Sequence, residues 1–153
     1  MKDRRLYFRK GLNKLYLPYY DALCDTLKDQ RWQPYSSVRT AIEQRSLYEQ
    51  GRSKPGHVVT NAKEWQSPHN YGCASDWCLW DDHGRPDWPD AGSTLWSNYS
   101  EAVTKVGLTW GGEFDDSPHN ELKISYTWRH LATVHKYEGA AVAFSKLELA
   151  IVG

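Results

Sequence analysis

Ser67-Pro68-His69-Asn70-Tyr71-Gly72-Cys73-Ala74-Ser75-Asp76-Trp77-Cys78-Leu79-Trp80 is the stretch on which the rest of the chain is organised. Pro68 stiffens its entry, Gly72 offers a turn, and Ala74 to Trp80 is the best strand candidate in the sequence. His69 and Asp76 therefore stand seven residues apart across a glycine turn, Asp76 near the start of the strand. A second stretch, Trp110-Gly111-Gly112-Glu113-Phe114-Asp115-Asp116-Ser117-Pro118-His119, offers another histidine after a proline, with Asp116 three residues before it.

Outward from these two stretches the chain alternates helices and short extended segments. Leu12, Leu15, Tyr16, Tyr19, Tyr20, Leu23 and Leu27 recur at helical spacing, interrupted by Pro18, which predicts one kinked helix or two short ones. Arg31 to Ser37 reads as a turn feeding an extended segment that ends at Val38-Arg39-Thr40. Thr40 caps a helix over Ala41 to Gln50, with Glu43 in the capping-box position and Gly51 as the stop. Val58-Val59-Thr60 is a short β-branched run after the loop Arg52-Ser53-Lys54-Pro55-Gly56, and Asp81 to Gly92, rich in Asp, Pro and Gly, reads as an exposed loop. Ser93 opens a helix that Gly107 ends; Leu108 to Trp110 and His119 to Ile124 are strands. After Ser125 the apolar spacing predicts a C-terminal helix with a weak point at Gly139. The fold class is α+β: one domain over 1–153, helices packed on a small, mostly antiparallel sheet whose open edge carries the site.

The chain has 153 residues, enough for a single core without disulfide staples. Lys+Arg and Asp+Glu balance at 19 each, so there is no general basic field for nucleic acid or an anionic membrane, and a partner must be recognised locally. Eight Trp and ten Tyr serve the core and can line a groove. Cys24, Cys73 and Cys78 are an odd set without C-x-x-C spacing, and read as small buried side chains rather than a disulfide framework. No apolar run after Met1-Lys2-Asp3-Arg4-Arg5 is long enough for a signal peptide, and none elsewhere spans a bilayer. A soluble monomer made in the cytoplasm is expected, with any work outside the membrane needing another route out.

His69, Asp76 and His119 make three N/O ligands, the set of a catalytic zinc that keeps its fourth position for water. Each alone reads as a satisfied polar residue or a turn cap; both histidines following a proline at a strand entry gives the trio its weight. Asp116 is the candidate general acid/base beside such a water, in preference to its neighbour Asp115. Arg39 is the candidate for stabilising negative charge on a carbonyl oxygen or for anchoring a substrate carboxylate, against an ordinary ion pair with Asp21, Asp25 or Glu43. Ser67 either orients substrate or caps its turn. Asp81-Asp82-His83 with Asp87 and Asp90 lacks an ordered calcium-loop register and reads as a solvated acidic loop.

Ser67-x-His69-x-x-Gly72-x-Ala74-x-Asp76 followed by Asp116-x-x-His119 closely resembles the LAS-type zinc peptidases of peptidoglycan, which include D-alanyl-D-alanine carboxypeptidases and phage L-alanyl-D-glutamate endopeptidases. Arg39-Thr40, Glu43-Gln44, Leu47-Tyr48, Gly51-Arg52, Pro55-Gly56 and Val59-Thr60 are similar to the endolysin branch in particular. The resemblance implies zinc on His69, Asp76 and His119, acid/base catalysis by Asp116, substrate binding by Arg39, and a phage enzyme that cleaves the stem peptide between L-Ala and D-Glu once the membrane has been opened. Two departures stand out. The link from Trp110-Gly111-Gly112 to Asp116 is short beside the endolysin relatives, and Asn120 replaces an aromatic that usually follows the second histidine; aspartate at 116, where glutamate is frequent, is a milder variation. The alternatives are a D-alanyl-D-alanine carboxypeptidase and a non-catalytic wall-binding module on the same fold; a nucleic-acid enzyme is a distant third.

Overall fold

The computed structural model describes residues 3–151. Its centre is strand β2, Ala74–Trp80, in a five-stranded antiparallel sheet. β1 (Trp32–Ser36) pairs with one side of β2; β5 (His119–Glu121) pairs with the other and carries β4 (Thr109–Trp110) beyond it. β3 (Pro86–Asp87) folds back on the end of β2, giving the acidic loop one short strand that composition alone did not announce. β1 includes Pro34, a residue expected in a turn; the strand tolerates it because β1 is an edge strand.

The register decides which side chains share a face. Asp76 lies opposite His119 across β2–β5 and opposite Ser36 across β1–β2. With a period of two along β5, Glu121 joins the same face. The other face sets Ser75, Trp77 and Asn120 against the helices, among Tyr16, Tyr20 and Tyr99, all fully buried.

Helices α1 (Arg5–Phe8) and α2 (Leu17–Thr26) precede the sheet. Pro18 starts α2 rather than kinking it, since the first helical turn has no use for the missing N–H. α3 (Ala41–Glu49) opens on the full capping box: the Thr40 hydroxyl accepts from the Glu43 N–H, and the Glu43 carboxylate accepts from the Thr40 N–H at 2.7 Å. α4 (Thr94–Lys105) is capped by Ser93. The single C-terminal helix expected from periodicity is two, α5 (Trp128–Glu138) and α6 (Ala140–Leu149), because Gly139 at φ 93° lies outside the helical region. One further expectation does not hold: β5 stops at Glu121 instead of reaching Ile124, and the β-branched run Val58 to Thr60 lies outside the sheet with its two valines half exposed. One core cluster joins Leu12, Leu23 and Leu27 to Trp77, Val103, Leu131 and Leu147, so both ends of the chain pack on the same sheet. Among the described residues no helix is long and apolar enough to cross a membrane.

Candidate metal and catalytic site

His69 sits in a short 3-10 turn, Pro68–Tyr71, that delivers the chain into β2. Ser67 caps this turn by accepting from the His69 N–H at 3.3 Å, and Gly72 ends it at φ 67°. A Cβ at Gly72 would lie 2.8 Å from the Asn13 nitrogen and 3.0 Å from the Gly11 oxygen, so the turn is pressed against the N-terminal segment and only glycine fits. Ahead of β5, Gly111 does similar work: a Cβ there would collide with the Asp116 carbonyl and lie 2.7 Å from the His119 Cβ. The 3-10 turn Gly111–Phe114 leads into a tight loop in which the Asp116 N–H donates to Gly111 O and the His119 N–H donates to Asp116 O. That loop puts Asp116 beside His119; Asp115, left-handed at φ 62°, is exposed at its tip.

The three expected ligands converge. His69 Nε2 is 3.3 Å from His119 Nδ1 and 3.4 Å from Asp76 Oδ1, and His119 Nδ1 is 3.2 Å from Asp76 Oδ1. A tetrahedral zinc with bonds of about 2.0–2.1 Å needs ligand–ligand edges of about 3.3–3.4 Å. The triangle therefore has the size of one face of a zinc tetrahedron, and the donor set of two imidazoles and a carboxylate fits the ion. Among the described residues this is the cluster able to hold a metal. Asp81 is spent on Arg85 and Asp87 on Arg31, so the acidic loop is solvated and ion-paired.

The back of each ligand is also fixed. His69 Nδ1 lies 2.5 Å from the Ser37 carbonyl, which only accepts, so Nδ1 carries the hydrogen and Nε2 is left as the ligand atom. His119 is held the other way round: Nε2 faces the Glu121 carboxylate at 2.7 Å, leaving Nδ1 for the ion. Glu121 in turn accepts from the Trp128 indole at 2.9 Å. A carboxylate behind a metal-bound imidazole raises its basicity and sets its orientation. Asp76 offers Oδ1 to the ion, while its Oδ2 accepts from the Ser36 hydroxyl at 2.5 Å. The sequence reading missed Glu121, Ser36 and Trp128. Glu121 had a signal, since His119-x-Glu121 on a strand points both side chains to one face.

Arg39 does not take any of its expected partners. Asp21 is bound to Arg9, Asp25 to Lys28, and Glu43 to the Thr40 cap. Its guanidinium instead lies 3.6 Å from Asp76 Oδ2 and donates to Gln44 at 2.8 Å, at the rim of the metal triangle. Asp116 Oδ2 is 4.0 Å from His119 Nδ1 and half exposed. Partial burial and the negative charge of Asp76 raise its carboxyl above the ordinary value. Burial disfavours charge on both His119 and Asp76, but their contact outweighs it. Asp76 is held well below the usual carboxylate range by its contacts with the His69 and His119 imidazoles, and His119 is pushed up to about 10 by Asp76 and Glu121. Ser67, His69, Asp76, Asp116, His119 and Arg39 all border one cleft of about 430 Å³.

The family model described as D-alanyl-D-alanine carboxypeptidase matches residues 60–122, which hold all three ligands and Asp116. That match spans less than half of the chain. Over 93 residues the chain is 38% identical to the peptidoglycan L-alanyl-D-glutamate endopeptidase CwlK of Bacillus subtilis (strain 168), a match covering 55% of this chain and 56% of that protein. The chain thus spans little more than half of that relative's length. The L-Ala D-Glu endopeptidase ChiX of Serratia marcescens superposes with a TM-score of 0.58 over 92% of this chain and 93% of its own, at 17% identity, a likeness of fold. Asn120, which departs from the usual aromatic, has a local reason. It is fully buried and joins Tyr16, Ser75 and Tyr99 by hydrogen bonds directly beneath the site, so the position is packed as a polar hub instead of a ring.

Proposed function

We propose that the protein is a zinc-dependent peptidoglycan peptidase that hydrolyses the L-alanyl-D-glutamate bond of the stem peptide. The observation that carries this reading is the triangle of His69 Nε2, Asp76 Oδ1 and His119 Nδ1, with edges of 3.2–3.4 Å, beside a carboxylate placed for proton transfer. The chemistry a bound zinc supplies is Lewis acidity, which brings the pKa of water to about 7 and draws charge from a carbonyl. Asp116, with its raised proton affinity, accepts the proton of the attacking water and returns it to the departing nitrogen. Arg39 stays charged throughout and presents its guanidinium at the rim of the triangle, where it stabilises the oxygen that turns negative or holds a substrate carboxylate. Ser67, in the cleft wall, positions the His69 turn and offers its hydroxyl to substrate.

The bond choice follows the Bacillus and Serratia relatives, both named for L-Ala/D-Glu cleavage, and the endolysin-like residues of 39–60. Mass spectrometry of peptidoglycan digested by the zinc-loaded protein tests it. New N-terminal D-Glu is expected, whereas released D-Ala with no such product transfers the protein to the carboxypeptidase reading. Asp116→Ala is expected to lose about 10²- to 10⁴-fold in rate while keeping its metal. Wall hydrolysis at the parent rate by that variant would remove Asp116 from the acid/base role and with it the proposed mechanism. A phage origin, with action on the wall after the membrane is opened, extends the same reading. It requires that expressed protein leave cells intact until a pore-forming agent is added.

A further inference from the structure

The cleft over the metal ligands does not end at Arg39. Tyr35, Arg39 and Asp76 also border a second groove of about 750 Å³, which runs on between α1 and α3. Its walls are Tyr7 and Phe8 from α1, Val38 from the segment before α3, and Leu47 from α3. Tyr7 is 67% and Val38 40% exposed, so the groove is an apolar surface open to solvent and continuous with the reacting centre. Its charges are unequal in availability. Asp76 belongs to the metal triangle and the Glu43 carboxylate accepts from the Thr40 cap, so the cations that line the groove are exposed Lys10 and, shared with the metal cleft, Arg39.

We propose that this groove is a specificity subsite for the part of the stem peptide on the D-glutamyl side of the scissile bond. That part bears the free carboxylates, while the glycan lies on the alanyl side. A chain leaving the metal past Arg39 meets aliphatic and aromatic walls suited to its methylenes and, in Lys10, a cation suited to a carboxylate. The inference rests on the peptidase reading above and adds a direction of binding to it. It also separates the two bond choices physically, because removal of a terminal D-alanine leaves little to occupy a groove of about 750 Å³.

Two synthetic muropeptides test it, one ending at D-Glu and one continuing for two further residues to a free carboxylate. The parent protein is expected to prefer the longer peptide in kcat/KM, and Lys10→Glu to shrink that preference about tenfold, the loss falling on KM. Val38→Trp, which fills the groove without changing charge, is expected to shrink it as well, and so distinguishes occupancy from a long-range field. A length preference that is absent in the parent, or unchanged in both variants, overturns the subsite. Should neither peptide be cleaved, the hydrolase reading fails instead. Calorimetric binding of the longer peptide to Asp116→Ala with and without Lys10→Glu then decides the groove by itself: tighter binding with Lys10 supports it, and equal or absent binding overturns it.

Discussion

Glu121 is the residue with the clearest consequence that the sequence reading did not draw. Its carboxylate accepts from His119 Nε2 at 2.7 Å and is itself steadied by Trp128, so the ring has one orientation and one nitrogen free for the ion. Removing such a partner typically weakens metal binding about 10- to 100-fold. Glu121→Ala is therefore expected to lower zinc affinity by that factor in chelator competition, with Glu121→Gln, which can still accept from the ring, recovering part of it. Equal affinities for Glu121→Ala and the parent would mean that the strand backbone alone holds His119.

At the scale of elements, the site depends on a 3-10 turn and a strand meeting at one glycine. Gly72 is left-handed and its missing Cβ faces backbone atoms at 2.8 and 3.0 Å, neither of which moves without moving the N-terminal segment. The left-handed conformation alone costs an alanine about 1–2 kcal/mol. Gly72→Ala is expected to lower the melting temperature by at least about 3–6 °C, at about 2–4 °C per kcal/mol for a chain of this size. Because the displaced turn carries His69, metal affinity should fall with it. Thermal denaturation that leaves the midpoint in place would show that the N-terminal segment yields easily.

Across the whole molecule, the ligands come from a turn and two neighbouring strands of one sheet, so an ion bound there ties together segments 50 residues apart. Any ligand that favours the folded state stabilises it by mass action, about 4 kcal/mol when its free concentration is about 1,000 times Kd. For this length that is on the order of 10 °C. The effect depends on pH through His119. Its metal-free imidazole, at about 10, lies above the unfolded value of about 6.5, so its stabilising contribution is complete below about 6.5 and is lost as pH rises through about 10. A zinc bound there would displace that proton, so its apparent affinity is expected to fall as the pH is lowered. The stabilisation by zinc is thus expected to be larger at pH 8 than at pH 6 in paired melting curves. An increment independent of pH would mean that His119 is already neutral before the ion arrives.

The spacing Ser67-x-His69-x-x-Gly72-x-Ala74-x-Asp76 was legible because proline, glycine and a β-rich run act on the backbone within a few residues of themselves, as did the Thr40–Glu43 cap and the break at Gly139. The length of β5 was less legible for the complementary reason: a strand runs only as far as a neighbour supplies the ladder, and the pairing of β5 with β2 and β4 ends at Glu121. Local patterns also name candidate ligands, but Arg39 shows their limit, since its choice among carboxylates depended on which chain segments fold beside it. The register that sets Asp76 opposite His119, the Glu121–Trp128 support and the groove shared by α1 and α3 are relations between segments far apart in the chain. Sequence determined the chemical groups and the turns that carry them. Tertiary packing alone determined their distances, because a slip of one residue in the β2–β5 pairing would turn His119 to the opposite face of the sheet.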